Sequence, residues 1–340
     1  MKRIPVFTVD AFCDEPFGGN PAGVVPRAVG LSTAEMQRIA AELRHSETAF
    51  VLPAEEPDSA DVRVRFFTPT QEVDLCGHAT IATFHLMAER GWLPSVGART
   101  RVRAETRAGT ITVEVQWAGR DLSDRAIRRV MMEQPRPRFL FELDEAQRAE
   151  LAGALGVEPG ALGFVRGRDG RRPLPLGVVT TGLPDLLVPV ESLAALRSLR
   201  PDAHELASLC RAMGIATVHA FTLETRERRH AAACRSFSPA LGIPEEAATG
   251  TASGALGAYL VRHGVVPVPG PGSRNVVDLV RGAEPPAADG QVVSLRVEQG
   301  DDMNRPSRID VEVTVAEGEI TGVRVGGRAV TVLEGNLLLD

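Results

Sequence analysis

Glu47 stands directly before a strand-like run, Thr48-Ala49-Phe50-Val51-Leu52, and just after a helical pattern that ends near Leu43. A glutamate held there can act as a general base and take a proton from carbon. A solvated charge at a helix-to-strand turn is the plainer reading. His78 follows Gly77 at the start of a stretch of small and apolar residues, and Gly250-Thr251 opens a second such stretch. Each pair would present backbone N–H groups at a helix N-terminus, where an anion is favoured. Two such ends would cradle a carboxylate and stabilise charge developing on an enolate-like intermediate. Glycine and threonine also begin helices well, and a satisfied core histidine fits His78 as readily. Glu245 and Glu246 precede the second stretch, where the helix dipole already accounts for one carboxylate.

These residues gain interest from an internal repeat. Arg65-Phe66-Phe67-Thr68-Pro69 recurs as Arg235-Ser236-Phe237-Ser238-Pro239, half of the 340-residue chain later. Ser32-Thr33-Ala34-Glu35 is answered by Asp202-Ala203-His204-Glu205, Ala49-Phe50 by Ala220-Phe221, and Gly77-His78-Ala79-Thr80 by Gly250-Thr251-Ala252-Ser253. Two copies of one unit imply a pseudo-two-fold molecule with a cleft between its halves, a common place for a ligand. A duplicated scaffold without function at the seam is the alternative. The repeat register places Val218 opposite Glu47, so the carboxylate occurs once, and Thr251 opposite His78. Cys76 is matched by Thr249. A two-cysteine racemase needs a thiol on each side of its substrate, so Cys76 reads as a small packing residue.

The elements that must position these groups are legible in outline. Val6 to Phe12 alternates as a strand, and the Gly18-Gly19-Asn20-Pro21 loop feeds a second strand at Ala22-Gly23-Val24-Val25. Ser32 and Glu35 form a capping box before Met36 to Leu43. Cys76–Met87 and Gly254–Leu260 are apolar around most of their circumference, which predicts helices buried on nearly every side. Each half is therefore expected to be a sheet wrapped around one central helix. The arginine-rich stretch from Trp117 to Arg138 is expected to carry the crossing between halves, and Ala329–Val332 to return to the first sheet. Val265–Gly272 and Arg166–Arg172 read as surface loops.

Composition removes whole classes of function. With 24% charged and 44% hydrophobic residues the chain is globular and ordered. A net charge of −6 without a basic run argues against nucleic acid, and no apolar run is long enough to span a bilayer. The lone lysine, Lys2, excludes a buried Schiff-base lysine and the GK of a phosphate loop. No GxGxxG follows a strand, and no HxxxH or HExxH spacing occurs. Cys13, Cys76, Cys210 and Cys234 form no CxxC pair. The expectation is cytoplasmic side-chain chemistry without metal or cofactor.

Taken together the stretches resemble the phenazine-biosynthesis isomerase (PhzF-like) family, which shares the diaminopimelate epimerase-like fold. The resemblance rests on Asp10-Ala11-Phe12 with Gly18 to Val25, Ser46 to Val51, Arg65 to Pro69, Asp74 to Thr80, Arg235 to Gly254, and Val323 to Val330. It implies an α+β protein of two pseudo-symmetric halves, residues 1–118 plus 326–340 and residues 119–325, each a strongly bent, mostly antiparallel sheet around a central helix. It also implies a homodimer and a cofactor-independent isomerase that moves a proton between carbons of a small unsaturated or cyclic carboxylic acid in secondary metabolism. Glu47, His78 and Glu246 take the catalytic positions; Asn20, Gly77, Ala79, Gly250 and Thr251 take the substrate-binding ones. An epimerase or racemase on the same scaffold, and a small-acid-binding protein without turnover, are the competing readings. Two departures stand out. The family's Asp-Pro-Ala-Thr-Gly-Ser is here Glu246-Ala247-Ala248-Thr249-Gly250-Thr251. The extra methylene moves the carboxylate by about 1.5 Å, and loss of the proline is expected to free the loop. The substrate is therefore expected to differ where the reaction type persists.

Overall fold

The alternating N-terminal run folds as the strand Lys2–Ala11, with Val9 and Ala11 fully buried. Asn20–Val25 pairs antiparallel on one side of it and Ala329–Leu339 on the other, so the end of the chain completes the first sheet. The helix Thr33–Leu43 then carries the chain to Thr48–Leu52, which lies parallel to Asn20–Val25. Val62–Phe67 follows antiparallel, Arg99–Thr106 parallel to it, and Gly109–Ala118 antiparallel again. The computed structural model describes residues 2–94, 97–119, 126–167, 170–269 and 290–339.

By its contacts the chain divides into unit 1, Met1–Glu133 with Arg305–Ser307 and Gly326–Asp340, and unit 2, Gln134–Asn304 with Arg308–Val325. The stretch expected to cross between halves contains the division, between Glu133 and Gln134, and also holds the strand Ala126–Gln134, bonded along Gly109–Ala118 with Val130, Met131 and Met132 buried. The consecutive buried residues Val130, Met131 and Met132 follow the adjacent Arg128 and Arg129, and unit 1 continues past residue 118 to Glu133. Residues 120–125 of that stretch lie outside the described residues. Arg166 to Arg172 is the turn of a hairpin, Phe164–Gly167 against Gly170–Pro173, whose residues 168–169 are likewise outside. Of Val265–Gly272, residues 265–269 have no regular structure and the rest is not described.

In unit 1 the helix Gly77–Glu89 is buried from His78 through Ala88. It touches Lys2–Ala11, Asn20–Val25, Thr48–Leu52, Gly109–Ala118 and Ala329–Leu339, strands far apart in the sheet, so the sheet curls around it. Unit 2 repeats the plan around the helix Gly250–Arg262, whose residues Ala252–Val261 are all buried. Pro184–Pro189 and Thr217–Thr222 lie parallel, Ala232–Ser238 antiparallel to the latter, and Gln291–Gln299 parallel to Ala232–Ser238. Gly254 and Gly257 let this helix press on its sheet: a Cβ there would lie 1.9 Å from Gln134 Oε1 and 2.7 Å from Val311 Cγ1 respectively.

The repeat extends to individual bonds. Ser32 Oγ caps Thr33–Leu43 by accepting from Glu35 N–H, and Asp202 caps Ala203–Met213 by accepting from His204 and Glu205 N–H. Arg65 forks onto Glu72 at 2.7 and 2.8 Å and lies over Phe67; Arg235 forks onto Glu245 at 2.8 Å twice and lies over Phe237. Glu245 is thus an ion-pair partner copied from Glu72. The pairing also corrects the alignment at Glu47. Thr48 faces Phe67 as Val218 faces Phe237, which puts Thr217, not Val218, in the place of Glu47.

No helix among the described residues is long and apolar enough to cross a membrane.

Candidate active site

Arg44, in the left-handed conformation at φ 55°, ends the helix Thr33–Leu43 and turns the chain into His45-Ser46-Glu47. Gly23 N–H then donates to the Glu47 carbonyl at 3.0 Å, fixing the residue at the head of its strand. A side chain at position 23 would not fit, since its Cβ would lie 2.6 Å from Thr48 Oγ1. The Glu47 side chain is 13% exposed, and its Oε2, itself buried, accepts no hydrogen bond of ordinary geometry. That oxygen lies 3.4 Å from Nε2 of His78, which stands on the first turn of the central helix with a side chain 4% exposed. The sequence singles out both residues on separate grounds, and the fold brings their side chains together.

The surroundings of this pair hold several groups that pattern alone passed over. Ser46 Oγ lies 3.3 Å from His78 Nε2, and Cys76 Sγ lies 3.4 Å from His78 Nδ1. Cys76, read from the repeat as a packing residue, is buried and in polar contact with the site imidazole. His45, bonded to Thr8 through Nε2 at 2.9 Å, is pushed below the usual histidine range by burial, against the opposing pull of Asp10. Asp10, 2% exposed, holds Arg305 at 2.8 Å, and Arg305 also donates to the carbonyls of Gly18 and Gly19 at 2.6 and 2.8 Å. This clasp fixes the loop that delivers Asn20, itself 4% exposed. Gly19 has φ +62°, and a Cβ there would sit 2.1 Å from the Ala11 carbonyl oxygen, so glycine is required.

In unit 2, Glu246 ends the strand Ile243–Glu246, and Thr249 stands at the N-cap of the central helix. Thr249 Oγ1 donates to Glu246 Oε2 at 2.8 Å. Gln299 Nε2 donates to the Glu246 carbonyl at 2.7 Å, while Thr249 N–H donates to Gln299 Oε1 at 3.1 Å. The loop expected to be freed by the missing proline is therefore tied by a buried glutamine, a residue too distant in sequence to suggest itself. Gly250 is buried and Thr251 half-buried, its carbonyl accepting from Thr181 Oγ1 at 3.1 Å. Neither Cys76 nor Thr249 caps its helix through a side-chain hydrogen bond. Both helix starts, Gly77-His78-Ala79 and Gly250-Thr251, so retain the dipole character that favours an anion. Gln299→Leu is expected to leave the Thr249 N–H and the Glu246 carbonyl without that partner and cost about 2 kcal/mol, measured by denaturant unfolding.

Donor atoms of Glu47, Cys76 and His78 lie within 4.8 Å of one another, as do those of Glu227, His230 and Glu298. The second set is a structural clamp. Glu298 accepts from the backbone N–H groups of Arg226 and Glu227 at 2.9 and 2.8 Å and contacts His230 Nδ1 at 2.9 Å. Arg308 reaches Glu227 at 3.3 Å, placing a cation already at its edge.

A glutamate oxygen 3.4 Å from a buried imidazole, in an α+β unit built twice, is an arrangement in which a proton can be moved. The family model for phenazine biosynthesis-like proteins matches residues 9–335, and the chain belongs to that family. It is 34% identical over 336 residues to the uncharacterized isomerase YddE of Escherichia coli K12, covering 98% of each chain. Trans-2,3-dihydro-3-hydroxyanthranilate isomerase of Pseudomonas aeruginosa is 31% identical over 334 residues, 97% of this chain and 98% of that one. A solved PhzF-family phenazine biosynthesis protein of Bacillus anthracis is similar over the whole of both chains, at TM-score 0.78 and 33% identity. The chain is accordingly an isomerase with the α+β fold of these proteins.

Proposed function

We propose that the protein moves a proton between carbons of a small unsaturated or cyclic carboxylic acid, with Glu47 as the group that takes and returns it. The observation that carries this reading is the Glu47 Oε2 atom. It is buried, without a hydrogen-bond partner of its own, and 3.4 Å from an imidazole that can orient it or exchange its proton. The acid's carboxylate is assigned to the helix start at Gly77-His78-Ala79 beside the Glu47–His78 pair of unit 1, with Asn20 a polar contact; Gly250, Thr251 and Glu246 form the corresponding helix start of unit 2. The relative that acts on trans-2,3-dihydro-3-hydroxyanthranilate makes a hydroxylated cyclic amino acid of that type the first substrate to try. Glu246 and Thr251, in place of the family's aspartate and serine, are the residues expected to shift the preference. A secondary-metabolic role and a homodimer belong to the same reading.

The test is a panel of cyclic and unsaturated acids incubated with the enzyme in D2O and followed by NMR. A migrated double bond with deuterium at the new C–H position supports the isomerase. Deuterium at a stereocentre with the double bond unmoved would replace it by an epimerase, and binding without exchange by an acid-binding protein. Metal participation is tested separately, because Glu47, Cys76 and His78 are close enough to share a cation. Dialysis against a chelator is expected to leave turnover unchanged; loss of activity restored by a divalent ion would overturn the metal-free mechanism.

A further inference from the structure

Ser46 lies between two anchored residues. His45 before it is bonded to Thr8 through Nε2 at 2.9 Å, and the carbonyl of Glu47 after it accepts from Gly23 N–H at 3.0 Å. Arg44, in the left-handed conformation, sets the direction in which this turn leaves its helix. The half-buried Ser46 side chain is thereby held with Oγ 3.3 Å from Nε2 of His78. Glu47 Oε2 lies 3.4 Å from the same nitrogen but outside hydrogen-bond geometry. Two oxygens compete for one ring nitrogen, and the serine holds the bond.

The neighbours of the ring assign its hydrogens. A lone pair on Nε2 would face the Glu47 oxygen, and two electron-rich atoms at that distance repel. Nε2 therefore carries the hydrogen and donates it to Ser46 Oγ, which leaves Nδ1 to accept from the Cys76 thiol at 3.4 Å. The hydroxyl has no counterpart in the second copy of the repeat. Strand register puts Thr217 in the place of Glu47, and so Ala216 in the place of Ser46. The matched helix starts put Thr251 in the place of His78. A turn from helix to strand is thus made in unit 2 with alanine, and the serine occurs in the copy that has the imidazole.

We propose that Ser46 is a positioning residue for the Glu47–His78 pair: by taking the Nε2–H bond of His78, it leaves Glu47 Oε2 without a donor and so keeps that oxygen the stronger base. A carboxylate that accepts a hydrogen bond is stabilised as the anion and takes up a proton less readily. The benefit for catalysis rests on the reading that Glu47 is the base; the bond between Ser46 and His78 does not. With the hydroxyl removed, the ring N–H turns to Glu47 Oε2 and closes the 3.4 Å contact into a charge-assisted hydrogen bond. The base is then engaged before substrate arrives, while the helix start that holds the acid's carboxylate is unchanged.

Nitrogen-15 NMR of histidine-labelled protein reads this bond without any turnover, the His78 signals being identified by their loss in His78→Gln. The expected wild-type result is a hydrogen on Nε2 whose resonance hardly moves in Glu47→Gln, because serine is its partner. In Ser46→Ala the same N–H resonance shifts downfield as the bond passes to the carboxylate, and the shift disappears in Ser46→Ala with Glu47→Gln. Ser46→Thr, which keeps the hydroxyl, should resemble the wild type. A hydrogen on Nδ1 alone in the wild type, or an unmoved Nε2–H resonance in Ser46→Ala, overturns the proposal. These arms need no substrate, so their failure is distinct from failure of the proposed reaction. With a substrate in hand, Ser46→Ala should lower kcat by about tenfold at unchanged KM, less than loss of the base itself, and Ser46→Thr should recover it. Full kcat in Ser46→Ala would also overturn the proposal, and a merely structural role would lower stability without moving the His78 resonance.

Discussion

Glu47→Gln is expected to lower kcat by on the order of a thousandfold while leaving the protein folded. The amide keeps the size and shape of the carboxylate and removes its basicity. Because Oε2 accepts no hydrogen bond of ordinary geometry, the change breaks none at that oxygen. The 3.4 Å contact to His78 is retained as a neutral one. Substrate affinity should change little, since the acid's carboxylate is assigned to the helix start at Gly77-His78-Ala79 and not to Glu47. A fall in kcat with an unmoved KM and melting temperature is therefore the signature to look for. A variant that lost affinity and stability instead would mark Glu47 as a structural charge, the plainer of the two readings its sequence context allowed.

Arg305→Met should be the most damaging substitution outside the proton-transfer pair. Asp10 is 2% exposed and takes its charge partner from this guanidinium, which also holds the Gly18 and Gly19 carbonyls. Removing one member of a buried pair leaves the other uncompensated, at a cost of about 3 kcal/mol or more. The loop that presents Asn20 loses its fastening at the same time, so activity should fall beyond what lost stability explains. Pairing the change with Asp10→Asn removes the stranded charge. The double variant should regain more than half of the lost stability by denaturant unfolding, yet recover little activity, because the loop is still untied. Equal recovery of both would show that the clasp serves folding alone.

Much of the molecule was readable from sequence because it was written twice. The paired caps at Ser32 and Asp202 and the paired forks at Arg65 and Arg235 are local features whose residue types state their own bonds. The apolar circumference of Cys76–Met87 announced a buried helix for the same reason. What escaped was non-local. Gln299 reaches Thr249 across 50 residues and Arg305 reaches Asp10 across 295, and no periodicity connects them. Glu47 was found, but opposite the wrong partner. The Ala-Phe dipeptides at 49–50 and 220–221 match in composition, whereas strand pairing follows Phe67 and Phe237, one residue out of step. Asp185 carries no signal in the sequence; its burial opposite Thr217 is visible only in the fold. The thiol missing from the repeat partner of Cys76 says nothing about the imidazole beside it.

The central claim is that one carboxylate both removes and returns the proton. It is tested most directly with a substrate deuterated at the carbon that loses hydrogen, turned over in ordinary water. Glu47 is 13% exposed, so a deuteron placed on it should sometimes return to the product before exchanging with solvent. The expected result is a fraction of product carrying deuterium at the new position, rising when single turnovers are sampled early. Product free of deuterium at every time point, with the label found only in water, would contradict a single shuttling group and assign the return step to a second acid.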